Sequence, residues 1–419
     1  MNTQAPRAPA MRCRHCGTPL DLPFLDLGTA PPSNAYLSPA ALNAPERWYP
    51  LRLLVCQQCW LVQTQDFAQA DELFDPDYAY FSAYSSTWLA QAQRYVHDMT
   101  ARFGLGPHSR VVEVAANDGY LLQYVQAAGI PCYGIEPTAS TAAAARARGI
   151  AIEQRFFGRA LAQALAMQDR QADLMVANNV LAHVPDINDF VAGFALLLKP
   201  RGVVTFEFPH LLQLVRQCQF DTVYHEHYSY LSLGTVQTIL AANGLRVFDV
   251  AELPTHGGSL RVFAQRADTG VQPETPALAA LLAREREAGM QTADFYKDFQ
   301  RQANRIKREL LSFLINCAEQ GKTVAAYGAA AKGNTLLNFA GVRPDLLPFV
   351  VDKNPAKQGQ YMPGSRIPIL APEHLLAQKP DDVLILPWNL RDEVMAEWGE
   401  AVRSWGGRFV VAVPALHAL

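Results

Sequence analysis

The sequence predicts an α/β protein with two nucleotide-binding half-folds behind a small cysteine-rich cap, and three observations predict it. Residues 110–114 form a β-branched strand that runs through Glu113-Val114-Ala115-Ala116-Asn117-Asp118-Gly119 into an amphipathic helix at 120–128; a second strand, Cys132–Ile135, ends in Glu136. Strand, tight turn, helix, strand and terminal acid make the half-fold in which the acid accepts both hydroxyls of a ribose. The plan recurs near the carboxyl end, where strand 323–327 meets Gly328 and a helix, and strand 349–351 closes on Asp352. Finally, Cys13/Cys16 and Cys56/Cys59 form two C-x-x-C knuckles ahead of both.

A chain of 419 residues exceeds the size at which single cores divide. We expect three parts, 1–75, 76–270 and 271–419. Half the residues are hydrophobic and 18% charged, an ordinary globular balance, and a net charge of −3 argues against a broad nucleic-acid surface. No apolar run reaches the length of a membrane span, and the Pro/Ala-rich start lacks the apolar stretch of a signal peptide. The expectation is therefore a cytoplasmic, reducing setting, without nucleic-acid or membrane partners, in which cysteines serve as thiols or metal ligands.

In the cap, strands at 23–27 and 48–55 flank a Pro31-Pro32 loop. Two knuckles supply four thiolates, the number that a tetrahedral structural zinc requires, and a full set leaves no position open for water. The competing reading is a redox C-x-x-C. Residues 76–100 then bring Tyr78, Tyr80 and Tyr84 ahead of a helical run at 88–103. Packing is the plain account of so many rings, but their hydroxyls need partners if buried, and a linker here is placed to close over the next domain's cleft.

The first turn of the central half departs from the dinucleotide fingerprint. Ala115 and Asn117 stand where glycines are usual and only Gly119 remains, so a pyrophosphate would be poorly accommodated; S-adenosylmethionine carries no phosphate. Strand 172–177 ends in Asn178-Asn179, followed by His183 and Asp186, a helix at 187–198, Leu198-Lys199-Pro200-Arg201-Gly202 and strand 204–208. That succession looks like the later part of a class I S-adenosylmethionine-dependent methyltransferase. A lone histidine such as His183 is more often structural, but it follows a strand's carboxyl end, where open α/β folds place ligands.

The densest chemistry lies at 224–230, where Tyr224, His225, Glu226, His227, Tyr228, Ser229 and Tyr230 crowd two imidazoles, a carboxylate and three phenols. Such density suits acid–base work in a partly dry cleft. A buried polar network or a His/Glu metal site would use the same residues. Downstream, His256-Gly257-Gly258-Ser259-Leu260-Arg261 leads into strand 260–265; the glycine pair would let backbone approach a substrate and Arg261 would meet a phosphate, or the pair is a plain hairpin turn. Residues 273–320 read as a helical connector, with Phe295, Phe299, Ile306, Leu310 and Phe313 near helical spacing. Beyond it, Gly328 to Thr335 fails the P-loop pattern, yet a glycine turn into a helix start, with Lys332 beside it, binds anions. Pro387-Trp388-Asn389 lies past a strand end, where a base can stack.

Taken together, the knuckles, Tyr78–Tyr84, Glu113–Gly119, His183, Tyr224–Tyr230 and His256–Arg261 occur in the order found in nucleotide-sugar C-methyltransferases, and nearly the whole chain resembles the sugar 3-C-methyltransferases of deoxysugar pathways. The resemblance implies a zinc-binding amino-terminal domain, a class I methyltransferase Rossmann-like central domain and a Rossmann-like α/β carboxyl-terminal domain gripping the nucleotide. It implies a dTDP-linked 4-keto-deoxysugar methylated next to its keto group. It places the base at His227 with Tyr224 and Glu226 beside it, His183 near the keto oxygen and Tyr78 or Tyr80 as the lid tyrosine. On these terms Glu113, Ala115, Asn117, Gly119, Glu136 and Asn178 serve the methyl donor. His225, His256, Arg261, Gly328, Lys332, Asn334 and Asp352 serve the substrate, and Cys13, Cys16, Cys56 and Cys59 serve zinc. The rival readings are an NAD-dependent oxidoreductase or isomerase, an O- or N-methyltransferase, and a zinc-stabilised binding module.

Overall fold

The computed structural model describes residues 11–65, 82–84 and 86–419. Three sheets organise them. Strands β1 (Leu22–Ala30), β2 (Tyr49–Val55) and β3 (Val62–Thr64) form an antiparallel meander in the cap, and β2 turns alternate residues Leu51, Leu53 and Val55 inward.

The central sheet contains β4 (Val111–Val114), β5 (Cys132–Ile135), β6 (Ile152–Glu153), β7 (Ala172–Asn178) and β8 (Leu198–Pro209). These five run parallel. The Leu198–Gly202 stretch, expected between a helix and strand 204–208, belongs to β8 as a bulge: Leu198 pairs with Ala172 and Val203 already with Leu174. Strand β9 (Ser229–Tyr230) departs from expectation more usefully, because it leaves the central domain and pairs with β3 of the cap. Strand β11 (Ser259–Arg266) runs antiparallel between β8 and β10 (Leu245–Leu253), giving the order β10-β11-β8-β7-β4-β5-β6. This is the class I methyltransferase arrangement. Strand order reverses between β4 and β7, so the crevice at their carboxyl ends is where a ligand belongs.

The last sheet takes β12 (Val324–Tyr327), β13 (Val350–Val351), β14 (Ile369–Leu370), β15 (Asp382–Ile385), β16 (Arg408–Val411) and β17 (His417–Ala418). All pairings are parallel except the final one.

The connector does more than separate these parts. Its long helix, Phe299–Glu319, buries Phe299, Ala303, Ile306, Leu310, Leu314 and Cys317 on one stripe. That stripe shares a core with cap residues Phe24, Leu51 and Leu53 and with Leu336 and Leu384 of the last domain; Phe24 stacks on Phe299 at 4.5 Å. Truncating Leu310 to alanine there would cost about 2–5 kcal/mol. The shorter helix Pro276–Glu287 packs on the central domain instead, where Glu285 accepts from the backbone of Leu233 and Gly234 and pairs with His210 at 2.7 Å. The cap and the last domain are thus fixed to each other as well as to the sheet between them.

Candidate active site and its cofactor turns

After β4 the chain turns sharply, and Ala115, Asn117 and Gly119 all adopt left-handed φ, of 59°, 48° and 78°. Two non-glycine residues in that region store strain, as functional turns often do. Gly119 alone cannot be replaced cheaply, because a Cβ there would lie 2.4 Å from Ile150 Cδ1. The turn is tied to the acid at the end of β5: Glu136 accepts from the backbone N–H of Asn117 and of Thr138, each at 2.9 Å. Glu113 is fully buried, and its carboxyl is pushed well above the ordinary range, first by desolvation. The Tyr120 phenol lies beside it, yet neither carboxylate oxygen finds a hydrogen bond of normal geometry among the described residues. Asn178 Oδ1, at the end of β7, is likewise unpaired. From the preceding segment, Ser82 donates its backbone N–H to Asn117 Oδ1 and Ala83 donates to Asp118 Oδ2. The end of the expected lid therefore docks on this turn; Tyr78 and Tyr80 lie outside the described residues.

Next to this crevice stands the histidine cluster. His183 ends a 3₁₀ turn after β7, and its ring meets the His227 ring edge-on at 4.6 Å. Tyr224 lies against the other side of His227 at 3.9 Å. The backbone explains why these rings converge: Tyr228 N–H bonds to the Ala182 carbonyl, Thr64 N–H to the Tyr228 carbonyl, and β9 pairs with β3. Residues 224–230 are thereby clamped between the His183 turn and the cap.

His227 Nδ1 sits 2.9 Å from the Thr222 carbonyl, which can only accept; Nδ1 therefore carries the proton and Nε2 is left as a lone-pair base. Burial, reinforced by His183, holds the His227 pKa well below its usual value, so the ring is neutral near pH 7. His183 and His256 are each brought down to about 4, by burial in both cases and then, for His256, by Lys332.

Several other expected residues face elsewhere. His225 engages the Tyr49 carbonyl of the cap at 3.3 Å and packs its ring against Tyr49. Arg261 does not reach out towards a phosphate: it is paired across strands with buried Glu207 at 2.7 Å and lies over Tyr95. Arg261 and Glu207 are Cα partners of β11 and β8, a register that β10 and β11 conceal in the linear sequence. Asn334 gives its amide to the Ser33 carbonyl at 2.6 Å, so it fastens the cap.

The carboxyl-terminal turn repeats the device of the central one. Asp352 accepts from Ala329 N–H and Asn354 N–H, each at 2.8 Å, and Gly328, with φ of 91°, packs under Pro387. Half-buried Lys332 lies 4.5 Å over the Trp388 ring and donates to Asn389 at 2.6 Å. Trp388 in turn donates to Asp221 Oδ2 at 2.7 Å, and burial lifts Asp221 to about 6. His256 is brought alongside by the 3₁₀ turn Thr255–Gly257, where a Cβ on Gly257 would meet Trp388 at 2.4 Å. Into the same interface comes the Pro31-Pro32 loop: Asn34 gives its amide to both oxygens of buried Glu226, and Tyr36 bonds to the Ala329 carbonyl at 2.5 Å. Sequence reasoning passed over Asn34 and Tyr36, and the only signal was a polar pair inside a proline-fixed loop.

In the cap, the sulfurs of Cys13, Cys16, Cys56 and Cys59 all lie within 4.8 Å of one another. Cys13–Cys59 and Cys16–Cys56 are 3.6 and 3.5 Å apart, near the ~3.8 Å that four sulfurs at Zn–S distance keep in a tetrahedron. Gln63 donates to Cys13, a contact that stabilises a thiolate.

Family models match this layout along the chain: a "Putative zinc binding domain" over residues 13–74, a "Methyltransferase domain" over 88–250 and a "C-methyltransferase C-terminal domain" over 254–414. A curated relative, the C-methyltransferase NovU of Streptomyces niveus, is 34% identical over 97% of this chain and 96% of its own length. The chain belongs to the C-methyltransferase family. Among solved structures, magnesium protoporphyrin IX methyltransferase from Synechocystis PCC 6803 covers 43% of the chain and 83% of its own, at 17% identity and a TM-score of 0.35. An S-adenosylmethionine-dependent methyltransferase from Clostridium acetobutylicum covers 42% and 92%, at 11% identity and a TM-score of 0.35.

In this C-methyltransferase the methyl donor is S-adenosylmethionine, and the central crevice fits it. Glu136 follows β5 at the edge of the crevice, and among the described residues the buried oxygens of Glu113 and Asn178 Oδ1 have no donor of normal geometry. The donor set also fits zinc, since four thiolates cannot crowd together without a cation. Among the described residues, no helix is long and apolar enough to cross a membrane.

Proposed function

We propose that this C-methyltransferase methylates a nucleotide-linked 4-keto-deoxysugar, most simply a dTDP sugar at C3, in the cytoplasm. The observation that carries the reading is the His227 ring: neutral, its Nδ1 proton committed to Thr222, its Nε2 free to accept, and flanked by His183 and Tyr224. Methylating a carbon needs a carbanion equivalent, and a neighbouring keto group makes that proton removable. In this reading His227 Nε2 takes the α-proton, His183 or Tyr224 donates to the oxygen on which enolate charge develops, and Glu226 orders the phenols and imidazoles around it. S-adenosylmethionine supplies, when bound, an electrophilic methyl on a sulfonium that needs no further activation. Glu113 and Glu136 would hold the donor's cationic and ribose portions, and proximity in the crevice supplies much of the rest. Lys332, held over the Trp388 ring, favours an anionic nucleotide on the carboxyl-terminal turn, with Asp352 at its ribose or sugar.

An oxidoreductase using NAD in the carboxyl-terminal half-fold is less well supported, because the first turn lacks two of the usual glycines and the His183, Tyr224 and His227 rings cluster beside the central half-fold instead. Mass spectrometry of products from S-adenosylmethionine and a panel of nucleotide 4-ketosugars tests the proposal. A product heavier by one methyl, with NMR placing it on the carbon beside the keto group, supports it; methyl on oxygen or nitrogen overturns it.

A further inference from the structure

The cap is usually the part of such a chain that one assigns to stability, but one of its side chains reaches the residue next to His227. The geometry points to Asn34 as a positioning residue for Glu226, an inference that rests on the reading of the His227 site proposed above. Asn34 Nδ2 lies 2.8 Å from Glu226 Oε1 and 3.0 Å from Oε2, and Glu226 is 1% exposed. An amide nitrogen astride both oxygens matches an ionised, acceptor-only carboxylate; the amide oxygen turned inward would be repelled, so the rotamer is determined by the charge. The loop that presents Asn34 is fixed on both sides. Two prolines precede it, Asn334 and Thr335 hold Ser33, and Tyr36 is bonded to Ala329 on the nucleotide turn, with Lys357 over its ring. Asn34 is therefore held by the carboxyl-terminal half-fold while it holds Glu226, which adjoins His227 in sequence. The cap sets the orientation of Glu226, and the carboxyl-terminal turn sets the cap loop.

This coupling can be separated from a simple anchoring role. Loop anchoring predicts that loss of Asn34 harms the protein whatever stands at position 226; positioning predicts that it harms only a carboxylate. The test is a double-mutant cycle of Asn34→Ala and Glu226→Gln on the full zinc-loaded chain, reading kcat for methylation and for deuterium exchange beside the keto group. Melting temperature and zinc content are followed in every variant. Asn34→Ala should lower kcat about ten- to a hundredfold, as for a lost bond to a charged group, and by less than about twofold in the Glu226→Gln background. Asn34→Asp should move the acid limb of the pH profile upward, because two carboxylates this close share a proton. Losses that multiply in the double variant, or a pH profile that Asn34→Asp leaves in place, overturn the inference while the wild type remains active. A wild type that neither exchanges nor methylates any 4-ketosugar overturns the underlying function and this inference with it.

Discussion

In the central half-fold, Glu136 accepts from the turn at Asn117 and from Thr138; in the carboxyl-terminal half-fold, Asp352 accepts from the turn at Ala329 and from Asn354. The two acids do the same mechanical work, locking a turn to the strand beside it. What differs is the charge around them. The central turn carries Glu113, whose carboxyl burial pushes up, Glu136, and Asp118 paired with Arg148, whereas the other carries half-buried Lys332, with Lys357 3.8 Å from Asp352. On the proposed function, this difference sorts the methyl donor onto the first turn and an anionic acceptor onto the second.

The largest expected effect on that sorting comes from exchanging charge for amide at the two acids. Glu136→Gln should weaken S-adenosylmethionine binding by about 1.5–3 kcal/mol and leave the sugar nucleotide almost untouched; Asp352→Asn should do the reverse. Calorimetry with each ligand in turn checks both arms, and a Glu136 variant with unchanged donor affinity would break the comparison.

Lys332→Met comes next. It should raise the sugar-nucleotide KM about tenfold at constant donor affinity. Because Lys332 also holds His227 and His256 down, its removal raises their pKa values, so the acid limb of the rate profile should move to higher pH. A KM change with an unmoved limb would place Lys332 away from the histidines.

Stability against acid follows from the same groups. His183 and His256, at about 4, and His227 have folded pKa values below the unfolded 6.5, so the unfolded chain binds more protons once pH falls below about 6.5. Each costs up to about 1.4 kcal/mol per pH unit until its folded pKa is reached. Asp221, raised to about 6, acts oppositely, since the folded form takes its proton first. His225 is lowered as well and Glu113 is raised as well, so four histidines stand against two carboxyls; the melting temperature should fall between pH 6.5 and 4, and His256→Gln should flatten that fall.

The smallest effect should be Ala115→Gly. It exchanges the cost of a left-handed alanine for the entropy of glycine, leaving a change within about 1 kcal/mol. A loss several times larger would show that the Ala115 methyl makes contacts that the turn's conformation does not explain.

This last point shows how far the sequence could be read. The strand–turn–helix–acid order was legible because it is local, and so was the cysteine spacing. The turn lacked two of the usual glycines, yet the structure imposes glycine-like φ on Ala115 and Asn117, so the conformation was hidden behind the wrong residues. Long-range register was hidden too: Arg261 meets Glu207 only because β11 returns antiparallel beside β8, and Asn334 meets Ser33 across 301 positions. The crowding at 224–230 was visible as composition, whereas the division of its roles was not. Only the pairing of β9 with β3 turns His225 towards the cap and leaves His227 against His183.

The claim on which the proposed chemistry depends is that His227 Nε2 removes a carbon-bound proton. It is tested most directly by following deuterium uptake from heavy water into a nucleotide 4-ketosugar by NMR, with S-adenosylhomocysteine in place of the donor. The wild type should exchange the proton beside the keto group. His227→Asn, which keeps a donor for the Thr222 carbonyl but has no basic nitrogen, should lose exchange and methylation together while calorimetry shows both ligands still bound. His183→Asn should lose no more than about 10²–10³ in rate, as for one oxyanion donor. Exchange that continues undiminished in the His227 variant would contradict the account and assign the base to another residue.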